Sequence, residues 1–510
     1  MDPFRALLAE YWPHIVFTVS TVAGTAAAIH AAMTKQDVRA AIGWVGVALL
    51  SPFFGALFYL VAGVNRVRRT QVAQERDATM LRYATVREAA DVDVVPISGP
   101  QFASLKVLGD HVSQFPLLGG NKVEPLAGGD ETYPAMIAAI RTAKVTIAMQ
   151  SYIFDNDRIG RELALALIDA AKRGVQVRVL IDAVGAKYSH PPIMGVLTRG
   201  GVRVARFMTN PLGVWRMPYA NLRSHRKILV VDNSIGFTGG MNVREAFMAS
   251  LMGDRVNRDT HFRFEGPMVT QLLSVFAHDW DFTTREALSN DTWFPHGTHP
   301  ASGATPVRCV ASGPDRYIGS THQMLMGALA IAQRHVRIQS PYFLPDLALV
   351  GALATAARRG VIVDIVIPGV NNLKLVDYAV SAQLDQVMRT GCRVWRAGGA
   401  FDHSKLMTVD DAWSYTGSSN LDPRSLRLNF ELDTEIYDPA VATWINQRID
   451  GLIATGRRET LANLADQSFA KRYSPVFGSL TSVPIAPMAF CFSARRTLAV
   501  TRSASFTKER

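Results

Sequence analysis

His225-Arg226-Lys227-Ile228-Leu229-Val230-Val231-Asp232, followed by Gly239 and Asn242, is answered at the same internal spacing by His403-Ser404-Lys405-Leu406-Met407-Thr408-Val409-Asp410, Gly417 and Asn420. A histidine and a lysine two residues apart share one face of a β-strand, because side chains alternate with period two. Each pair can therefore aim at one target, and the target that suits both groups is a phosphate. A single such pair is more often an accident than a site; two copies in register, each with its distal glycine and asparagine, reverse those odds.

The segments around the motifs repeat too. Ahead of the first copy the pattern predicts a helix starting near Asp130, a strand over 144–154, an amphipathic helix over 160–172 and a strand over 175–182. Ahead of the second it predicts a helix over 323–332, a strand over 336–343, a helix over 347–358 and a strand over 361–367. The joints agree in sequence: Ala171-Lys172-Arg173-Gly174-Val175 against Ala357-Arg358-Arg359-Gly360-Val361. Strands alternating with helices of this length imply βαβ units. The expected fold class is therefore α/β: two homologous halves, 130–300 and 301–470, with mixed, largely parallel sheets flanked by helices. A pseudo-twofold would relate them and put one site between the copies.

The N-terminus differs in kind. Residues 15–33 and 42–64 are free of charge and each comes near the roughly 20 residues that cross a bilayer. Two transmembrane helices are expected, within a membrane anchor over 1–70. The second runs into Arg66, Arg68 and Arg69, a basic cluster of the kind that stays cytoplasmic, which places the larger part inside the cell in a multi-pass protein. Residues 71–129 read as a linker arm and connector, and 471–510 as a basic, flexible tail.

The formal charge of +11 favours anionic partners such as nucleic acid, acidic lipid or phosphorylated substrates. Cys309, Cys392 and Cys491 are the only cysteines and form no CxxC pair, so neither a zinc site nor a disulfide framework is indicated. No GxxxxGK[ST] loop and no HExxH stretch occurs. The sequence calls for no metal and no cofactor, and says nothing of oligomeric state.

Phosphodiester exchange without a metal needs a nucleophile, a proton donor for the leaving alcohol and fixed positive charge on the nonbridging oxygens. His225 and His403 supply the first two, through a phosphohistidine intermediate; Lys227 and Lys405 supply the third. Such chemistry should withstand chelators. Asn242 and Asn420 are expected to donate to the phosphate, with Ser418 as a further donor. Asp232 and Asp410 complete the motif, but they lie at odd parity to the His–Lys face and should hold the turn. A histidine nucleophile needs an acceptor on its second nitrogen, and Asp259 and Glu431, each on a predicted strand after its motif, are the candidates. His261, His278 and His322 lack such partners and read as structural.

The two motifs resemble the HxKxxxxD signature of the phospholipase D superfamily, and the wider chain is similar to the bacterial cardiolipin synthases. Phe115-Pro116-Leu117-Leu118-Gly119-Gly120-Asn121, Ser151-Tyr152-Ile153-Phe154, Ser340-Pro341-Tyr342-Phe343 and Ser418-Ser419-Asn420-Leu421-Asp422-Pro423-Arg424-Ser425 carry the likeness beyond the motifs. The resemblance implies an inner-membrane enzyme that moves a phosphatidyl group between two phosphatidylglycerol molecules, an anionic phospholipid substrate, with His225 as nucleophile and His403 as acid and base. Ser404 and Leu406 depart from the alanine and threonine common in such synthases. The rival readings are a phospholipase D hydrolase, a phosphatidyltransferase with another donor or acceptor, a nucleic-acid phosphodiesterase and a membrane scaffold with a relic site. The apolar spans and the want of an aromatic–basic platform argue against nucleic acid.

Overall fold

The computed structural model describes residues 3–35, 38–64, 76, 92–208, 222–295, 300–370 and 374–465. The chain divides into two compact units, one built on residues 1–67 and one on 68–475. The basic cluster Arg66, Arg68 and Arg69, nearly all of the arm up to residue 91, and the tail over 471–510 lie outside the described residues.

In the first unit, helix α1 (Pro3–Thr34) contains Glu10–Thr34, the one helix among the described residues that is long and apolar enough to cross a membrane. The second expected span is corrected. Its residues divide into α2 (Val38–Leu50) and α3 (Pro52–Phe58), with a π-helical turn at Tyr59–Gly63. Pro52 offers no N–H and pushes the residue before it out of helical geometry, and Ser51 accordingly sits at φ −135°, ψ 74°. The two pieces pack closely around the break: a Cβ on Gly55 would fall 2.1 Å from the Val47 carbonyl oxygen.

The second unit is organised on one long sheet. Its first series comprises β1 (Leu118–Ala127), β2 (Thr146–Ser151), β3 (Gln176–Asp182), β4 (Arg203–Phe207), the short β5 (Arg223–Ser224), β6 (Ile228–Val231), β7 (Ile235–Gly239) and β8 (Thr260–Glu265). The second comprises β9 (Thr305–Ser312), β10 (His335–Gln339), β11 (Ile362–Pro368), β12 (Arg393–Ala397), β13 (Leu406–Val409), β14 (Trp413–Gly417), β15 (Asn429–Tyr437) and β16 (Arg457–Arg458). The first series runs β1-β8-β7-β6-β2-β3-β4 across the sheet. The second runs β9-β15-β14-β13-β10-β11-β12, the same order of elements, and the antiparallel pair β1–β9 joins the two. The motif strands are buried along their whole length, which is why they read as unbroken apolar runs.

The expectation of largely parallel sheets is also corrected. Within the two series only β2-β3-β4 and β10-β11-β12 run parallel. Apart from the short β5, which pairs in parallel with β15, the remainder is antiparallel, and each motif strand turns straight back on itself. Asp232 and Asn233 (φ 51° and 47°) and Asp410 and Asp411 (φ 54° and 59°) form tight type I′ turns, closed by Ser234 N–H to Val231 C=O and by Ala412 N–H to Val409 C=O. The connector expected before residue 130 likewise holds real architecture. Helix α4 (Gln101–Val112) buries Phe102 and Leu105 in the second series' core, and β1 forms the seam of the sheet. Its apolar face was hidden by the Gly- and Pro-rich residues on either side.

Candidate active site

His225 and His403 do not lie within strands; each stands just ahead of one, β6 and β13, where the backbone is tied to the opposite half. His225 N–H donates to Phe430 C=O at 2.8 Å, continuing the parallel pairing of β5 with β15. His403 N–H donates to Arg258 C=O at 2.7 Å, beside the Arg258–Asp402 bridge. Both histidines are therefore suspended from the seam.

Their side chains cross it as well. His403 Nδ1 lies 2.8 Å from Asp259 Oδ2, and His225 Nδ1 lies 3.2 Å from Glu431 Oε1. The carboxylate that orients each imidazole thus comes from the other half. The imidazoles are 19% exposed while both carboxylates are fully buried, so the rings stand nearer to solvent and the acids behind them. Asn429 lies 3.1 Å from His225 Nδ1 and donates to Glu431 Oε1 at 3.0 Å. Rings of Tyr152 and Tyr342 flank His225 and His403, with centroids 4.4 and 6.2 Å away.

The lysines fold back over their own histidines. Lys227 Nζ donates to the His225 carbonyl, and Lys405 Nζ donates to the His403 carbonyl and stands 2.9 Å from the His403 ring. Burial pushes Lys405 down to about 7, partly opposed by Asp259, and Lys227 is lowered for the same first reason. Burial, then the Lys405 charge, carries His403 down to about 4; burial lowers His225 against the pull of Glu431. Burial acts to raise both carboxylates, but their histidine and lysine neighbours outweigh it and hold Asp259 and Glu431 low. At neutral pH the site thus sets two neutral imidazoles over two carboxylates, and neutral imidazole is the form that attacks phosphorus.

Asp232 and Asp410 do not face this chemistry. Asp232 accepts from the N–H groups of Lys144, Val145 and Thr146, and Asp410 from those of Gln333, Arg334 and His335. Each clamps the motif hairpin to the start of the neighbouring strand. Ser418 is corrected: its hydroxyl is spent on Glu431 Oε2 at 2.6 Å. The matching position in the first half is Gly240, where a Cβ would fall 2.3 Å from Asp259 Oδ1. The longer carboxylate thus stands opposite a serine and the shorter one against a glycine. Asn242 accepts from Ile153 N–H at 3.1 Å, and Asn420 is within 3.4 Å of Ser425 Oγ.

Sequence reasoning missed Arg226. It is buried beneath His225, with Nη1 2.7 Å from Asp279, Nε 3.0 Å from the Glu431 carbonyl and Nη2 3.1 Å from that of Ser312. The usable signal was parity: a cation between the histidine and the lysine must point away from them, into the protein. Its counterpart Ser404 makes a 2.9 Å hydroxyl contact with Thr260. His278 is buried, His322 pairs with Asp346 at 3.1 Å, and both ring nitrogens of His261 lack a hydrogen-bond partner among the described residues.

Two carboxylate-backed histidines and two lysines at the seam of a two-part α/β sheet are the marks of the phospholipase D class of phosphoryl-transfer enzymes. A family profile described as "Cardiolipin synthase, PLD-like domain" matches residues 136–280 and again 325–453, and one described as "Phospholipase_D-nuclease N-terminal" matches 22–63. The chain is 33% identical over 448 residues to Cardiolipin synthase A of Pseudomonas entomophila, covering 87% of this chain and 92% of the relative. It is 36% identical over 416 residues to Cardiolipin synthase A of Pseudomonas syringae pv. syringae, covering 80% and 85%. The crystal structure of phosphatidylserine synthase from Haemophilus influenzae shares the fold, with TM-score 0.55 and 17% identity over 77% of this chain and 99% of that one. The chain belongs to the cardiolipin synthase family of the phospholipase D superfamily.

Proposed function

We propose that the protein transfers a phosphatidyl group from one phosphatidylglycerol to a second, producing cardiolipin and glycerol. The observation that carries the reading is the reciprocal arrangement of His225 with Glu431 and His403 with Asp259, one imidazole from each motif backed by a buried carboxylate of the other half. In the first step His225 Nε2 attacks phosphorus, the bond to the glycerol oxygen breaks, and His403 delivers a proton to that oxygen. In the second, His403 removes the proton from a hydroxyl of the incoming phosphatidylglycerol, whose oxygen attacks phosphorus and breaks the P–N bond. Lys227 and Lys405 neutralise the nonbridging oxygens, with the amides of Asn242 and Asn420 beside them. The anionic phosphodiester also favours the protonated His403 that the first step needs. We take the two halves as a pseudo-twofold pair, supported by their shared strand order and the doubled family match.

The names of the relatives support the substrate, and the apolar helix Glu10–Thr34 supports a membrane-bound enzyme. Arg66, Arg68 and Arg69 favour a cytoplasmic catalytic unit at the bacterial inner membrane. Incubation with headgroup- and acyl-labelled phosphatidylglycerol, followed by lipid separation and peptide mapping after a denaturing quench held at neutral pH, tests the scheme. Cardiolipin, free glycerol and an acid-labile phosphatidyl adduct on His225 are expected. Phosphatidic acid as the sole lipid product would make the protein a hydrolase, and an adduct on His403 alone would exchange the two histidine roles.

A further inference from the structure

Arg76 lies in the charged stretch of sequence between the apolar N-terminal segment and the sheet, yet its side chain is only 1% exposed. Its Nη2 donates to Asp279 Oδ1 at 2.9 Å and its Nε to Asp315 Oδ2 at 3.1 Å. The same Nη2 lies 3.2 Å from His278 Nδ1, and the Arg76 carbonyl is 3.0 Å from His278 Nε2. Asp279 is shared: Arg226 Nη1 reaches the same Oδ1 at 2.7 Å, while Gln150 donates to Oδ2 at 2.9 Å. Arg226 in turn holds the Glu431 carbonyl, and the guanidiniums of Arg76 and Arg226 lie 4.5 and 5.5 Å from the Phe430 ring. Phe430 is the residue whose carbonyl fixes His225, and Glu431 is the residue whose carboxylate orients it.

We propose that Arg76 is a positioning residue for the His225–Glu431 pair, a strut that reaches under the site from the segment following the N-terminal apolar region. It acts through two routes, the shared carboxylate of Asp279 and the face of Phe430. Removing its charge leaves buried Asp279 with one guanidinium and draws Arg226 off the Glu431 carbonyl. The strut serves one histidine only. At the second motif Ser404 replaces Arg226 and meets Thr260, so among the described residues the Asp259–His403 pair has no comparable link to Arg76.

The inference rests on His225 being a reacting group, and its test separates the two ideas by a readout independent of turnover. Full-length protein in detergent is labelled with diethyl pyrocarbonate, and the carbethoxylation rates of His225 and His403 are read from the same digests by mass spectrometry. In Arg76→Met the His225 rate should change several-fold while that of His403 stays at the wild-type value. kcat should fall on the order of tenfold with little change in KM for phosphatidylglycerol, the mark of a displaced group and not of lost binding. Arg76→Lys keeps the charge but loses the forked contact, and should move both readouts the same way by less; it serves alone if Arg76→Met does not fold. An unchanged His225 rate in a folded variant overturns the proposal, as do rates for the two histidines that move together. Wild-type protein that forms no cardiolipin would count against the proposed reaction and leave the histidine comparison standing.

Discussion

Asp259, on the first half, holds His403 of the second: Oδ2 stands 2.8 Å from Nδ1, and the carboxylate has no exposure to solvent. A buried acceptor in that position fixes the ring's tautomer and stabilises the imidazolium that forms when His403 takes a proton. Asp259→Asn keeps the shape and removes the charge. kcat should fall by on the order of a thousandfold with KM for phosphatidylglycerol nearly unchanged, measured in mixed micelles under steady state. Glu431→Gln should do the same through His225, and the double variant should lose far less than the product of the two effects, because both act on one reaction path.

Gly240 should tolerate no side chain, although its partner in the repeat is a serine. A methyl group there would enter 2.3 Å from Asp259 Oδ1, and Asp259 is held by both His403 and the Thr260 N–H. Gly240→Ala is expected to lower kcat on the order of a hundredfold by displacing that pair. Ser418→Ala, which removes one hydrogen bond to Glu431, should cost much less. Matching thermal unfolding curves for the two variants would show that the difference lies in the site.

Asp232→Ala and Asp410→Ala should separate folding from chemistry. Each aspartate satisfies three backbone N–H groups at the edge of the neighbouring strand. Losing such a charged acceptor should cost about 3 kcal/mol of stability. Turnover per folded molecule at low temperature should remain within a few-fold of wild type. A loss of kcat comparable to that of His403→Ala, in protein with native unfolding behaviour, would place the aspartates in the catalytic set.

The stability of the protein should fall as pH is lowered from neutrality. Burial holds His261 down at about 3 against an ordinary 6.5, and the same cause holds His278 at about 3 and His403 at about 4. In that window the unfolded chain binds protons that the folded chain refuses, so each histidine withdraws up to about 1.4 kcal/mol per pH unit on acidification. Asp433, raised to about 6 by burial, works the opposite way and offsets part of the loss between about 4 and 6. His261 makes no hydrogen bond among the described residues, so His261→Leu should leave the neutral-pH melting temperature intact and flatten its decline between pH 6.5 and 4. An unaltered slope would show that His261 meets its proton in the folded state.

What could be read from the sequence was the part governed by short spacings. The doubled His–Lys pairs, the helix–strand order and the acidic candidates Asp259 and Glu431 all follow from periods of two and 3.6 and from the repeat itself. Which carboxylate serves which histidine was not legible, because no local spacing records that β5 pairs with β15 or that Arg258 bridges to Asp402. The place of β1 at the seam was not legible for the same reason: its partners β8 and β9 are far along the chain. The largely parallel sheet was a wrong inference from alternating helices and strands, overruled by the left-handed residues at Asp232 and Asp410 that reverse each motif strand. At the N-terminus hydropathy alone could not see that Pro52 divides an apolar stretch into two short helices.

Because each half supplies the carboxylate of the other's histidine, neither is free to change on its own account. A change that loosens β15 disarms the histidine of the first motif, and one that loosens the segment around Asp259 disarms that of the second. Damage to either half is felt at the other's histidine.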